Sequence, residues 1–494
     1  VGRFWPLLLV ALAAAASTTA AFLGSARWWL AAGPALALTC VGAGDLVQRR
    51  HSVRRNHPLT GRLGRHAAGP RLRWGAVREP RADARDGAEF LVPSLRPVEP
   101  AEEPPVVRVG GPGCSQPYDM ALLNVSAMSF GALSARAVLA LGRGAALGRF
   151  AQDTGEGGLS EHHLRGGGDL VWEIGTGYFG CRADDGGLDW REFADKAALP
   201  EVKCVSLKLS QGAAPGMGAV LPGVKVSADV ARERRVPEGV DVVSPPAHRM
   251  FSTPRELLLF VARLREAAGG KPIGIKLCVG ARREFLAVCR AMLAEGLAPD
   301  FVVVDGAEGG TGAAPSGSAG RLGMPLTLGL VTVHNALVGV GLRDRVRIGA
   351  SGGVATGWDV VTRLVQGADY TNAARAMMLA VGCVRAGRCH TGHCPAGVAT
   401  QDPLRTRGLH VADKARQVER YQRETVREAV RIMAAMGVRE PGGLTPAHLV
   451  RRVAPGSERS YADLYEWLAP GELLAGPPPS WESDWKAADP DAFG

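Results

Sequence analysis

Two uncharged apolar runs open the chain, Phe4 to Ala26 and Trp28 to Gly44, separated only by Arg27. A helix needs about 20 apolar residues to cross the hydrocarbon core, so the first run is long enough and the second is at the short limit. From about Leu122 the pattern changes to short apolar runs alternating with helix-period segments, as parallel βα units require. Eight strands are predicted, at 122–128, 150–154, 170–176, 204–210, 272–279, 301–307, 346–352 and 369–375. Helices are predicted between them, among them Ser134 to Leu147, Pro254 to Ala267 and Gly357 to Gln366. Eight such units predict an α/β chain built on a (β/α)8 barrel, with its active site at the carboxyl ends of the strands; a doubly wound sheet is the alternative. Beyond the last strand, "DKARQVERYQRETVREAVRIMAAMG" sets Val418, Tyr421, Val426, Val430, Ile432 and Met433 largely on one face of a helix. That helix is expected to pack across the outside of the barrel, and a partner-binding helix is the rival reading. "LTPAHLVRRV" predicts a short second helix capped by Thr445.

Charge changes the reading of the amino end. Nine arginines fall between Arg49 and Arg78, with no acidic residue from Val47 until Glu79. By the positive-inside rule this block keeps the following chain in the cytoplasm and predicts a two-helix transmembrane hairpin in the inner membrane. A cleaved signal peptide competes, since "STTAAFLGSA" offers a small-residue cleavage site. The net charge of +10 invites nucleic-acid binding, but the arginines follow apolar helices, so anionic lipid is the nearer partner and nucleic acid is not expected. "VPSLRPVEPAEEPPVVRVGGPG" reads as a linker. The expected division is a hairpin at 1–46, a basic juxtamembrane segment and linker at 47–113, a barrel with its cysteine loop at 114–403, and a helical extension and tail at 404–494.

Nine cysteines, an odd number without paired spacing outside one loop, argue against a secreted disulfide framework. The loop is "LAVGCVRAGRCHTGHCPAGVATQDP", where Cys383, Cys389 and Cys394 stand near His390 and His393. Three thiolates at C-x5-C-x4-C followed by Pro395 favour an iron–sulfur cluster, and three ligands favour a three-iron form. Zinc, whose cysteines usually pair as C-x2-4-C, and plain core thiols are the alternatives. After the seventh strand, "VRIGASGGVATGWDVV" runs strand, glycine-rich turn, helix, so the amides of Gly352 and Gly353 and a helix amino end could cradle a phosphate, with Ala374 and Arg375 beside it. Neither G-x-G-x-x-G at an early strand nor G-x-x-x-x-G-K-[ST] occurs, which points to a phosphate-bearing cofactor such as FMN over a dinucleotide.

The stretches "SAMSFGALS", "DTGEGG", "LKLSQGAAPGMGAVLPGVKV", "VSPPAH", "DGAEGGTGAAP", "HNALVGVGLRDRVRI" and "GCVRAGRCHTGHCPAGVATQDP" resemble the FMN-binding domain of glutamate synthase, in that family's order, from about Leu122 to Pro403. The resemblance implies a barrel holding FMN, and a [3Fe–4S] cluster on Cys383, Cys389 and Cys394. It implies addition of ammonia to 2-oxoglutarate and reduction of the imino acid by reduced FMN, or the reverse on a related amino acid. In that chemistry Lys276 is expected beneath the flavin, with Lys208 and Gln211 facing substrate and flavin edge and Lys225 in the same loop. Glu156 is expected to position ammonia or the iminium. Ser126, Ala127, Met128 and Ser129 are expected along the flavin ring, approached closely by Gly309, Gly310 and Thr311. The chain opens on the apolar hairpin where the family carries a glutaminase. Ammonia is therefore expected free or from another subunit, and electrons from a separate reductase or ferredoxin. The substrate is expected to be a 2-oxo acid or amino acid. An electron-transfer or scaffolding subunit that keeps both cofactors without turnover is the alternative.

Overall fold

Eight parallel strands close into a barrel in chain order: Leu123–Val125, Gln152–Asp153, Leu170–Ile174, Val202–Lys208, Ile273–Leu277, Phe301–Asp305, Arg347–Ser351 and Tyr370–Ala373. Closure comes where the eighth strand pairs with the first, Thr371 against Leu123 and Ala373 against Val125. This computed structural model describes residues 3–49, 51–63, 87–310, 312 and 321–494. Each predicted strand overlaps an observed one; only the fourth starts earlier, at Val202. The helices follow from their caps. Ser134 accepts from the Ala137 amide at the head of Ala135–Gly148, and Thr253 with Glu256 and Thr356 with Asp359 form reciprocal boxes at the heads of Pro254–Ala267 and Gly357–Val365.

Inside the barrel floor, Ala151, Val171, Cys204, Phe301, Val303 and Tyr370 form a small core with Val109 and Met120. Two strand glycines make room for its rings: a Cβ on Gly274 would stand 2.3 Å from the Phe301 ring, and one on Gly349 2.6 Å from Tyr370. Val109 and Met120 belong to an antiparallel hairpin, Val106–Val109 with Tyr118–Ala121, that plugs the barrel from below. The proline-rich stretch predicted as a linker thus carries part of the core at its carboxyl end. Just before it, Glu89–Leu91 pairs with Leu449–Ala454.

The helix Val411–Ala435 lies across the outside of the barrel against the helices Ala135–Gly148 and Gly357–Val365. Val418, Tyr421, Val426, Val430 and Met433 are buried and Ile432 is half-buried. Contact is close, since a Cβ on Gly144 would meet Val418 at 2.6 Å. The Tyr421 hydroxyl donates to the Ala355 carbonyl at 2.6 Å. The predicted helix at "LTPAHLVRRV" is corrected. Thr445 does cap a single 3-10 turn, Pro446–His448, but the chain then runs as the strand Leu449–Ala454, because Glu89–Leu91 offers it an edge.

The two apolar runs form antiparallel helices, Trp5–Leu23 and Trp29–Val47, each long and apolar enough to cross a membrane. Their facing sides are small: Ala14, Ser17, Ala32 and Gly42 are buried. Leu8, Leu9, Leu12, Leu30, Leu36 and Leu38 point outward and are exposed. At the base, Asp45 accepts from Arg62 at 2.7 Å, which turns the chain back beneath the hairpin. The short helix Ser52–Asn56 then docks on the barrel, where the Asn56 amide donates to the carbonyls of Pro395 at 3.1 Å and Arg405 at 2.8 Å. Arg50, Arg65, Arg71, Arg73 and Arg78 of the basic block lie outside the described residues.

Candidate active site

The carboxyl ends of the barrel strands open on a cavity of about 450 Å³. Ser126, Ala127, Met128, Ser129, Glu156, Lys208, Gln211, Lys225, Lys276, Gly309, Gly310, Gly352, Gly353, Ala374 and Arg375 all line it, from every part of the barrel. Thr311 lies outside the described residues. Convergence of this kind follows from the closed parallel barrel, where each strand delivers its last residues to one rim.

At the bottom of the cavity, Lys276 in the fifth strand meets Glu173 in the third at 2.8 Å, both almost fully buried. Burial alone would lower the Lys276 pKa, but Glu173 and Asp305 outweigh it and hold the ammonium charged. Asp153 behaves oppositely. Burial and the Glu173 charge push its carboxyl up to about 8. None of these three acids was assigned a role from the sequence, although Asp153 and Asp305 open two of the stretches that carry the family resemblance.

Higher on the wall, Lys208 at the end of the fourth strand binds Glu156 at 3.1 Å and donates to the Gln211 carbonyl oxygen at 2.9 Å. Burial opposes ionisation of Glu156, but Lys208 and then Arg234 and Lys276 hold its pKa below the ordinary value, so it is a carboxylate. The Ser244 hydroxyl reaches its other oxygen at 3.3 Å. Among the described residues the buried Gln211 Nε2 finds no acceptor. An orphan donor beside a cavity is what a ligand site leaves when only protein atoms are counted.

A long excursion after the fourth strand, residues 209–253, closes over this wall. It carries a two-strand ribbon, Val220–Leu221 with Val242–Val243, and the helix Ala228–Arg234. From it come Ser244, Arg234 and His248, which sequence reasoning missed. Arg234 is buried, donates to Ser129 Oγ at 3.2 Å and stands over the Phe179 ring at 5.0 Å, while its Nε has no partner among the described residues. Burial lowers its pKa to about 10, still a cation at neutral pH. His248 explains "VSPPAH". Its Nε2 donates to the Lys208 carbonyl at 2.8 Å and its Nδ1 accepts from Tyr178 at 2.9 Å, with burial holding the ring neutral at a pKa of about 4.

Lys225 lies in the expected loop and lines the cavity edge, where its ammonium donates to the carbonyls of Ala132 at 2.6 Å and Cys389 at 2.9 Å. Burial lowers its pKa to about 8.

The candidate phosphate cradle is narrower than the sequence implied. At the head of Gly357–Val365 the amides are already engaged: Asp359 accepts from Ala355 and Thr356, and Glu428 accepts from Gly357. That leaves the turn itself, where Gly352 and Gly353 have φ of 127° and 73°, values that favour glycine. Ala374 and Arg375 at the end of the eighth strand complete the edge.

Just outside, Cys383, Cys389 and Cys394 line one small pocket walled by Met378, Val384 and Val398. Burial raises the thiol pKa of Cys383 and of Cys389. Among the described residues no group of three or more His, Cys, Asp or Glu side chains closes on a point as one metal ion would require. Three thiols set around a shared pocket are a donor set that a polynuclear cluster could use.

A family described as "Conserved region in glutamate synthase" matches residues 117–439. The "Glutamate synthase large subunit-like protein YerD" of Bacillus subtilis is 42% identical over 351 residues, which cover 71% of this chain and 66% of that one. An archaeal-type NADPH glutamate synthase of Thermotoga neapolitana is 32% identical over 315 residues, 63% of this chain and 59% of its own length. The ferredoxin-dependent glutamate synthase 2 of Synechocystis is 38% identical over 201 residues, 40% of this chain and 12% of its own. The matched part thus spans between 59% and 66% of the length of the first two relatives.

Proposed function

The chain belongs to the glutamate synthase family, and from that premise we propose that it is a membrane-anchored oxidoreductase that reduces a 2-imino acid, formed from a 2-oxo acid and ammonia, using FMN and an iron–sulfur cluster. One observation carries the reading: Lys208, Gln211 and Glu156 form a buried hydrogen-bonded group that faces the same cavity as the Gly352–Gly353 turn. A pure relay would have no use for that group.

In this reading Gly352, Gly353, Ala374 and Arg375 hold the FMN phosphate, and Ser126, Ala127, Met128, Ser129, Gly309 and Gly310 follow its ring. Cys383, Cys389 and Cys394 hold the cluster. Bound FMN would supply hydride to the imino carbon, fed by the cluster with single electrons. The chain's own residues do the rest. Lys208 and Arg234 present positive charge to a dicarboxylate. Gln211 Nε2 donates to a substrate oxygen or flavin edge. Glu156, held ionised, steers ammonium and takes the proton that ammonia loses on adding to the carbonyl. Lys276 keeps a fixed positive charge beneath the flavin, its neighbours Glu173 and Asp305 opposing loss of its proton.

The hairpin anchors the chain in the inner membrane with the barrel on the cytoplasmic side, supported by its exposed leucines and the arginines that follow. Ammonia and electrons arrive from partners or solution. The test is anaerobic mixing of reduced protein with ammonia and a panel of 2-oxo acids while flavin reoxidation is followed. Reoxidation that needs both ammonia and one 2-oxo acid, foremost 2-oxoglutarate, is expected. A panel in which no acid reoxidises the flavin would overturn the reading and leave a relay subunit.

A further inference from the structure

We propose that the cleft between the juxtamembrane segment and the cysteine loop binds the head group of a lipid-soluble quinone, the membrane-side redox partner that takes electrons from the cysteine loop when an amino acid is oxidised. The inference rests on the reading of Cys383, Cys389 and Cys394 as cluster ligands and of the hairpin as an anchor.

The cleft has a volume of about 170 Å³. An apolar cavity of roughly 150 Å³ admits a benzene ring, so one six-membered ring fits. Val53, Leu63 and Pro395 give it apolar walls, and His57, Thr60 and Arg388 give it polar ones. A quinone head group is such a ligand, an apolar ring with an oxygen at each end that needs a hydrogen-bond partner.

Position argues for the same occupant. Arg388 and Pro395 are chain neighbours of Cys389 and Cys394, so a ring seated there is one residue from two of the three thiols. The opposite wall begins only a few residues after the second apolar helix ends at Val47. The carboxyl end of the hairpin comes to this side, since Asp45 binds Arg62. The cleft therefore lies where the hairpin would leave the hydrocarbon, and an isoprenoid tail could run along the hairpin's exposed leucines. Asn56, pinned to the carbonyls of Pro395 and Arg405, holds the anchor and the cysteine loop in one register.

The step balances. An amino acid oxidised to its imino acid leaves two electrons on the flavin, these pass singly through the cluster to one quinone, and the quinone takes up the two protons released and becomes quinol.

The experiment uses the full chain, loaded with flavin and iron, in lipid nanodiscs without substrate. Decylubiquinone, added anaerobically to protein whose flavin has been bleached with stoichiometric dithionite, should restore the flavin absorbance, and an azido-quinone photolabel should mark peptides within 51–63 or 384–396. Leu63→Trp, at an exposed wall position, should slow this reoxidation at least tenfold and abolish labelling while dithionite bleaching is unchanged. Thr60→Val, nearly isosteric, should weaken labelling without filling the cleft. Iron-loaded protein that dithionite bleaches but quinone does not reoxidise, or reoxidation equal in Leu63→Trp, would overturn the quinone site alone. Native protein without iron would instead sink the cluster reading on which it rests.

Discussion

The Lys225 ammonium donates to the Cys389 carbonyl at 2.9 Å, joining the cysteine loop to the rim of the cavity through one buried side chain. Its second acceptor, the Ala132 carbonyl at 2.6 Å, belongs to the loop after the first strand. Lys225→Met would leave both carbonyls without this donor, at a cost of about 1–3 kcal/mol for each that stays buried and unsatisfied. The expected outcome is a lower melting temperature and a fall in the ratio of iron to flavin, read by metal analysis and absorbance. An unchanged ratio would show that the loop holds its shape without this bridge.

Glu156→Gln removes the charge facing Lys208 and keeps the shape. Turnover is expected to drop by about 10²-fold or more, the usual scale for a positioned acid–base group, with flavin content unchanged. A stability signature accompanies it. The Glu156 pKa is depressed in the folded chain, so its contribution is present above the unfolded carboxyl value of about 4.3 and is lost as pH falls through the folded value. The melting-temperature gap between native and variant protein should therefore hold at neutral pH and close on acidification.

Asp153→Asn should show the opposite trend. The Asp153 carboxyl keeps its proton in the folded chain up to about pH 8, whereas unfolded it would lose it near about 3.9. Its contribution is thus fully present below the unfolded value and is lost as pH rises through the folded one. Melting temperatures measured from pH 5 to 8 should shift in favour of the variant as pH rises, because asparagine can still accept from the Gly155 amide.

Truncation before Asp413 removes nearly all of a helix that buries Val418, Tyr421, Val426, Val430 and Met433 and ties Gln422 to the Leu123 carbonyl at 3.1 Å. Loss of the large side chains costs about 2–5 kcal/mol each at a typical core site. Expression should give insoluble, flavin-free protein. A soluble, yellow truncation would mean that the barrel stands without this cover.

Full-length protein should sediment with membranes and resist a carbonate wash, and a chain starting at Gly87 should be soluble, keeping the Glu89–Leu91 strand that pairs with Leu449–Ala454. Release of the full chain by carbonate would reject the anchor.

The barrel was legible in the sequence because parallel strands buried on both faces read as short apolar runs, and their helices announce themselves by caps such as Thr253 with Glu256. The glycine turn at Gly352 and the cysteine loop could be picked out as candidates because each lies in consecutive residues. What local pattern could not decide was pairing across distance. Leu449–Ala454 is a strand only because Glu89–Leu91 lies alongside, where Glu89 takes Arg451 at 2.6 Å. Val109 reads as linker until the barrel floor closes around it. Arg234 and Ser244 look like surface residues of a long excursion until it folds over Glu156. Lys225 was placed only by its loop, and two backbone carbonyls from the loops after the first and eighth strands claim it. Hydrophobic period and capping act within a few residues and are written in the chain, whereas a buried charge takes whichever partner the closed barrel brings within about 3 Å.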